Sequence, residues 1–187
     1  MRLTLRILSL LLVLSVTGTA LGASQRKVPA YEKYIKQYSS LAIQHQKKYR
    51  IPASITLAQG LLESGAGRSE LARKSNNHFG IKCHSDWRGG RVYHDDDLRG
   101  ECFRKYKNPE QSYEDHARFL VDRPRYASLF KLKITDYKGW ARGLQKCGYA
   151  TDRAYANRLI KLIEDYDLYR YDTAKAVKSQ TSNRHTS

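Results

Sequence analysis

The segment IPASITLAQGLLESGAGRS, residues 51–69, is an apolar stretch that ends on a single carboxylate and then breaks into glycines. Four apolar residues recur at helical spacing and predict a buried stripe on an α-helix: Ile55, Ala58, Leu61 and Leu62. Pro52 suits the first turn of this helix, where its missing N–H would have no partner. Gly65 and Gly67 predict the end of the helix, because glycine adopts a left-handed backbone without steric cost. Glu63 is therefore expected at a helix end, beside a turn without bulky side chains.

The position of Glu63 suits a proton donor. Apolar neighbours disfavour the ionised form of a carboxyl group and raise its pKa toward neutrality, as a general acid requires. The alternative interpretation is a partly exposed glutamate that ends a core helix, because structural carboxylates also have perturbed pKa values. The segment on its own leaves both interpretations open.

The first 23 residues have the pattern of an export signal. Two arginines provide the positive start, residues 7–16 the apolar core, and residues 17–23 a run of mostly small residues where a peptidase could cut. The apolar run is too short to span a bilayer comfortably. The sequence thus predicts a secreted or periplasmic, cell-wall-associated protein. Its single domain is expected at residues 24–172, long enough to bury a core, and residues 173–187 are expected to form a disordered basic tail.

The chain is strongly basic. It carries 34 Lys and Arg against 18 Asp and Glu, for a net charge of +16 at pH 7, and only Arg2 and Arg6 would leave with the export signal. Such a surplus favours anionic partners. Outside the cytoplasm these are cell-wall polymers or an anionic envelope surface. Nucleic acid is not expected as a partner, because the sequence contains no recognisable nucleic-acid-binding motif.

The remaining sequence predicts a mainly α protein of the α+β class. An amphipathic helix is expected over residues 30–49, and a short helix from Ser69 to Lys74. Glycines placed between runs of strand-like composition predict a small β-hairpin lobe at about residues 79–106. Three further helices are expected, with start signals at Asn108–Pro109, Thr135 and Thr151.

Cysteine usage fits an oxidising compartment. The chain has three cysteines: Cys83, Cys102 and Cys147. Cys83 and Cys102 flank the strand-rich segment, so they could pair across a hairpin and leave Cys147 as the odd thiol. A catalytic cysteine is the alternative, with one of three histidines as its base: His78, His84 or His116. We disfavour it, because none of the cysteines opens a predicted helix, where a thiolate would be stabilised.

A metal site is not expected, and no cofactor is predicted. His94 precedes the acidic run at residues 95–97, and His84 and Asp86 are near in sequence. Their spacing matches no closed zinc pattern, and such clusters are common on polar loops.

Six short motifs occur in one order along residues 50–170: AQGLLESGAGRS at 58–69, NNHFGIK at 76–82, FRKY at 103–106, SYEDHARFL at 112–120, RY at 125–126 and GYATDRAYANRLIKLI at 148–163. Together they resemble the glucosaminidase domain family, glycoside hydrolase family 73, of mannosyl-glycoprotein endo-β-N-acetylglucosaminidase-like enzymes and bacterial cell-wall autolysins. The resemblance implies a lysozyme-like helical domain with the β-lobe as one wall of a cleft. It also implies an enzyme that cleaves the β-1,4 bond on the reducing side of N-acetylglucosamine in peptidoglycan, with Glu63 as general acid.

The second carboxylate departs from the family pattern. Family members usually carry a glutamate on the β-lobe, where this chain has Asp95, Asp96 and Asp97. We rank Asp96 first, then Asp95, then Asp97, and interpret Glu101 as a surface residue. Aspartate is one methylene shorter than glutamate, so the stereochemistry of the reaction cannot be transferred. The alternatives are a solvated turn, carboxylates that share a proton, or a substrate acetamido group that acts as the nucleophile.

Aromatic and amide side chains are candidates for sugar contact. The resemblance places Tyr149 of the GYATD motif in the cleft, close to the second sugar-contacting group. Asn77 and Phe79 are expected as cleft residues, with a core role equally open for Phe79. Trp87 is expected on the rim of the β-lobe, and Tyr126 is a further candidate whose role is open.

The sequence therefore predicts a peptidoglycan hydrolase, an endo-β-N-acetylglucosaminidase. A muramidase or a lytic transglycosylase is the alternative within the enzyme class, because a lysozyme-like fold does not determine which bond is cut. A glycan-binding scaffold without turnover is the alternative outside it.

Overall fold

The computed structural model describes residues 27–85, 87–96 and 99–173. The predicted export signal, Asp86, Asp97 and residues 174–187 of the predicted tail lie outside the described residues. Within these ranges the elements follow in this order: α1 (Pro29–Tyr49), α2 (Ala53–Ser64), α3 (Glu70–Ser75), β1 (Gly90–His94), β2 (Glu101–Lys105), α4 (Pro109–Val121), a 3-10 segment (Pro124–Lys131), α5 (Tyr137–Lys146), α6 (Tyr155–Asp165) and a second 3-10 segment (Leu168–Asp172). Across the described ranges no helix has the length and apolar character needed to cross a membrane.

Helix α2 lies at the centre of the helical part. It packs against α1, α5, α6 and the 3-10 segment Leu168–Asp172. Ten of its twelve residues are buried, so the buried surface of α2 is much wider than the stripe predicted from the sequence. The reason is that packed elements surround the helix instead of covering one face. Only Leu62 and Glu63 keep partial exposure, and they face the side that remains open.

The start of α2 differs from the prediction. Pro52 precedes the helix at the cap position and does not occupy its first turn. The first N–H groups are satisfied by side chains from elsewhere: Ala53 N–H donates to Gln46 Oε1 (2.7 Å) and Ser54 N–H to Asp172 Oδ1 (2.8 Å). The Asp172 carboxylate also accepts from the Ser54 hydroxyl, and burial raises its pKa to about 6. The far end of the chain thus fixes the helix that carries Glu63.

The end of α2 lies where the glycines predict it. Gly65, Ala66 and Gly67 follow with φ of 55°, 59° and 74°, so three consecutive residues have a left-handed backbone. Glycine is the residue that tolerates this region best, and it occupies two of the three positions. Gly67 N–H donates to the Ser64 hydroxyl (2.7 Å), which closes the turn. Glu63 is therefore the penultimate residue of the helix, next to small side chains.

The predicted β-lobe is a two-stranded antiparallel hairpin. The register pairs Gly90 with Lys105, Val92 with Phe103 and His94 with Glu101. Phe103 is buried, and a bridge from Lys82 to Phe103 ties the preceding segment to the hairpin. A disulfide joins Cys83 to Cys102 with a Cα–Cα distance of 5.3 Å. The mainly α architecture with a small β-hairpin lobe is confirmed.

The second half of the chain corrects two predicted helix starts. Helix α5 begins at Tyr137 and not at Thr135, because Asp136 supplies the cap by accepting from Gly139 N–H (2.9 Å). Helix α6 begins at Tyr155, and Thr151 does not cap it, because the GYATD motif first forms a turn. The two 3-10 segments were not predicted. In the first of them the buried residues Tyr126 and Leu129 are three apart, which is the repeat of a 3-10 helix.

Candidate active site

A cleft of about 470 Å³ opens at the end of α2. One wall is the segment from Phe79 to His84 with Asp96 of the β-lobe, and the other is the segment Gly148–Asp152 with the start of α6. Glu63 lies between the two walls. The helical part and the lobe thus form one concave site around this carboxyl group, which is the usual shape of a small-molecule or glycan site.

Burial dominates the electrostatics of Glu63. It raises the pKa of the carboxyl group to about 7, and the nearby charge of Asp96 acts in the same direction. The Tyr155 hydroxyl, which donates to Oε1 at 2.7 Å, and the charge of Arg158 both lower the pKa but do not offset burial. The C-terminal end of a helix also disfavours a negative charge. Glu63 is therefore protonated in a large fraction of molecules at neutral pH, as a general acid requires.

A chain of hydrogen bonds holds the Tyr155 hydroxyl against Glu63. Gln59 Nε2 donates to the Tyr155 oxygen at 3.0 Å, and His116 Nε2 lies 3.1 Å from Gln59 Oε1. Burial lowers the pKa of His116 to about 3, so its ring is neutral. A carbonyl oxygen only accepts, so the ring proton is on Nε2 and each donor along the chain points toward Glu63. This orientation directs the Tyr155 proton to Oε1 and leaves Oε2 for a proton that can be transferred.

Sequence reasoning missed Tyr155 and His116 as supports of the acid. The spacing of apolar residues along the last helix indicates a core position for Tyr155, and its neighbours on that helix, Ala156 and Leu159, are buried. The available signal was a tyrosine in the first turn after the GYATD motif. Arg125 and Arg158 were also missed. Both line the cleft, and the charge of Arg158 acts on Glu63.

Asp96 is the β-lobe aspartate that faces the cleft among those described. Its carboxylate lies 3.4 Å from Lys82 Nζ, and its side chain is 53% exposed. Asp95 does not line the cleft, because its Oδ1 accepts from Gly100 N–H (2.7 Å) and closes the turn of the lobe. Asp97 lies outside the described residues. Glu101 bonds to the same Lys82 at 2.9 Å, and its side chain is only 17% exposed.

Tyr149 and Phe79 both line the cleft. The Tyr149 ring stacks on Tyr155 with centroids 5.6 Å apart, and its buried hydroxyl has no hydrogen-bond partner in the described part of the chain. Phe79 is only 2% exposed and stacks on His116 at 3.9 Å, so most of its surface belongs to the core. The unpartnered hydroxyl makes Tyr149 the better candidate for a polar contact with a ligand.

Three predicted sugar-contacting residues lie away from the cleft. Asn77 is buried, and its amide donates to the backbone oxygens of Ile81 and Arg104, so it shapes the loop. Tyr126 is fully buried in the core. Trp87 packs over Arg104 on the β-lobe. None of the three side chains lines the cleft, so this placement gives their expected sugar contacts no support.

The catalytic-cysteine alternative fails for two of the three thiols. Cys83 and Cys102 are joined in the disulfide, and the remaining thiol, Cys147, does not line the cleft. Among the described residues no group of three or more His, Cys, Asp and Glu side chains is arranged to hold a metal ion.

Comparison with known proteins agrees with this geometry. Residues 39–168 match the glucosaminidase family model, described as mannosyl-glycoprotein endo-β-N-acetylglucosaminidase. Exo-glucosaminidase LytG of Bacillus subtilis is 39% identical over 140 residues, which cover 67% of this chain and 48% of LytG. Peptidoglycan hydrolase FlgJ of Vibrio parahaemolyticus is 32% identical over 147 residues, which cover 73% of this chain and 47% of FlgJ. The chain thus spans about half the length of these curated relatives.

A solved structure extends the likeness to the fold. The catalytic domain of the autolysin Auto from Listeria monocytogenes superposes with a TM-score of 0.66 at 32% identity, covering 78% of this chain and 89% of that domain. The lysozyme-like arrangement of helices and hairpin is confirmed. The chain belongs to the glucosaminidase family of glycoside hydrolases.

Proposed function

We propose that this protein hydrolyses peptidoglycan as an endo-β-N-acetylglucosaminidase, with Glu63 as the general acid. The observation that carries the proposal is a largely buried carboxyl group, with its pKa raised to about 7, at the centre of the cleft. Peptidoglycan as substrate is supported by the likeness to FlgJ, a peptidoglycan hydrolase, and the N-acetylglucosaminyl bond by the family description and by LytG. LytG is an exo-enzyme, so endo cleavage rests on the family description alone.

In this mechanism Oε2 of Glu63 gives its proton to the leaving glycosidic oxygen. The bond to the anomeric carbon then breaks as positive charge develops on the sugar ring. Tyr155 donates to Oε1 and so stabilises the carboxylate that forms. Asp96, on the facing lobe, stabilises the positive charge or activates the water, and the Tyr149 hydroxyl bonds to the sugar. We propose the cell wall as the place of action, reached by secretion, where the positive net charge favours binding to anionic envelope polymers.

Analysis of the products tests which bond is cut. Purified sacculi are digested, and the released muropeptides are examined by mass spectrometry after borohydride reduction. We expect reduced N-acetylglucosamine at the new ends, within products that span a range of lengths. Reduced N-acetylmuramic acid would indicate a muramidase, and anhydro ends would indicate a lytic transglycosylase. Release of single terminal residues only would overturn endo cleavage.

The activity is expected to fall as the pH rises above about 7, because the protonated fraction of Glu63 then decreases about tenfold per pH unit. Tyr155→Phe should move this alkaline limit to higher pH. The Tyr155 hydroxyl stabilises the carboxylate form, so its removal raises the pKa of Glu63 further. The measurement is the pH profile of kcat/KM for soluble glycan fragments.

The matched control is Tyr137→Phe. Tyr137 also donates to a glutamate, Glu164 Oε1 at 3.1 Å, but it lies outside the cleft. We expect its profile to equal that of the wild type. A downward shift of the limit in Tyr155→Phe, or equal shifts in both variants, would contradict the role of Tyr155.

Asp96→Asn is expected to lower kcat about 10- to 100-fold, because the amide loses the charge that faces the developing cation. Asp95→Asn is the matched control on the same lobe. Its Oδ1 contact with Gly100 N–H is one that an amide oxygen can replace, so we expect little change. A larger loss in Asp95→Asn than in Asp96→Asn would reverse the ranking of the two residues.

A further inference from the structure

A second cavity, of about 340 Å³, lies apart from the cleft. Its walls come from α1, from the turn that follows α2 and from α3, so we call it the α1–α3 cavity. Consecutive side chains separate the two spaces: His78 lines the α1–α3 cavity and Phe79 lines the cleft. Glu63 does not line this second cavity, and the mechanism above makes no use of it.

His78 offers a hydrogen-bond donor to this cavity. The residue is only 5% exposed, and burial lowers its pKa to about 4, so the ring is neutral. The Tyr113 hydroxyl donates to the Tyr34 oxygen at 2.8 Å, and the Tyr34 oxygen lies 2.9 Å from His78 Nδ1. We assign the Tyr34 proton to the contact with His78. Nδ1 accepts, so the ring proton is on Nε2. Nε2–H makes no hydrogen bond within the described part of the chain, so this donor is left for a ligand in the cavity.

Positive charge surrounds the same cavity. Lys33, Arg68 and Arg73 line it, and no carboxylate within the described ranges pairs with any of them. Glu110 acts on His78 through its charge, but it is exposed and does not line the cavity. All three cations are exposed, and the charge of Arg73 also acts on Glu70. A neutral N–H donor at the cavity wall together with three cations around it forms an environment that favours an anion.

We propose that the α1–α3 cavity binds a carboxylate of the peptide chains carried by peptidoglycan, as a second contact with the polymer. The identification of the polymer rests on the proposed function. Part of the wall is apolar, formed by Ala30, Ala66 and Ala72, which suits an organic acid with small aliphatic groups better than a fully hydrated inorganic anion. The carboxylate accepts from His78 Nε2–H, and the guanidinium of Arg73 and the ammonium of Lys33 balance its charge.

Titration of the ¹⁵N-labelled protein tests this binding directly and without turnover. The probes are the dipeptide N-acetyl-alanyl-glutamate, its diamide as a neutral control, and inorganic phosphate. We expect the dipeptide to shift the His78 Nε2–H resonance with saturation and the diamide to leave it unchanged. Equal or tighter binding of phosphate would overturn the carboxylate assignment. No saturable shift with either anion would overturn the site.

Charge variants separate a specific site from general attraction to a basic protein. Lys33→Gln with Arg73→Gln should weaken dipeptide binding at least about tenfold, because two charge-assisted contacts are lost. Lys47→Gln with Arg142→Gln removes the same charge from exposed positions outside both cavities and should leave binding unchanged. Equal weakening in both double variants would contradict a specific site.

Binding to the polymer distinguishes this inference from the proposed function. In a Glu63→Gln background, which prevents digestion, we expect tighter binding to intact sacculi than to glycan stripped of its peptides. The Lys33→Gln and Arg73→Gln changes should remove that difference. If the difference is absent while the wild type still releases new reducing ends, the inference fails and the proposed function stands. If the dipeptide binds but the wild type releases no reducing ends, the proposed function fails and the anion site stands.

Discussion

Glu63→Gln is expected to reduce the release of new reducing ends from purified sacculi by at least about 10³-fold while the fold is retained. General acid catalysis contributes roughly 10²–10⁴ to the rate, and a buried amide has no proton to give to the leaving oxygen. The substitution is nearly isosteric. The amide oxygen can still accept from the Tyr155 hydroxyl, so the hydrogen-bonded chain that ends on position 63 is preserved.

The matched control is Glu164→Gln. Glu164 also accepts a hydrogen bond from a tyrosine, but it is exposed and lies outside the cleft, so we expect its activity to equal that of the wild type. Circular dichroism and thermal unfolding of both variants confirm that any loss is chemical. Full activity of Glu63→Gln would exclude the acid assignment. Binding of both variants to sacculi, with no reducing ends released even by the wild type, would favour a glycan-binding scaffold.

Local sequence signals were sufficient to predict α2, its end and the position of Glu63. The apolar spacing marks a helix, and Gly65 and Gly67 mark its termination because the backbone there has positive φ. The hairpin could be predicted equally well, because glycines that interrupt the segment and alternating residues are local patterns. These features depend on neighbours within a few positions, so the sequence carries them directly.

The support of Glu63 could not be predicted in the same way. Tyr155 is 92 residues away from Glu63 in sequence, and His116 is 57 residues away from Gln59. Such contacts depend on how α2, α4 and α6 pack, and the local pattern of α6 is equally compatible with a tyrosine that only fills the core.

For Asn77 the sequence suggested a functional role where the structure shows a structural one. A polar residue in a family motif suggested sugar contact, but its amide satisfies backbone groups that the loop would otherwise bury unpaired.

Glu63→Gln is also expected to make the protein more stable than the wild type at alkaline pH. The pKa of Glu63 is about 7 in the folded protein and 4.5 as the ordinary value. The folded state therefore holds this proton more tightly than the unfolded state, and the stability of the wild type decreases as the pH rises from about 4.5 to about 7. At 1.36 kcal/mol per pKa unit, the decrease amounts to about 3 kcal/mol above pH 7. Glutamine does not titrate and is free of this decrease.

The measurement is urea unfolding of wild type and variant at pH 4.5 and pH 8.5. The quantity to compare is the difference in the free energy of unfolding between the two proteins at each pH. Other buried groups such as His78 and Asp172 titrate in both proteins, so their contributions cancel in this difference. We expect the difference to move by about 3 kcal/mol in favour of Glu63→Gln between the two pH values. A constant difference would mean that position 63 is well hydrated in the folded protein. The acid would then lack the desolvation that keeps its proton in place, so the stability measurement tests the mechanism without any substrate.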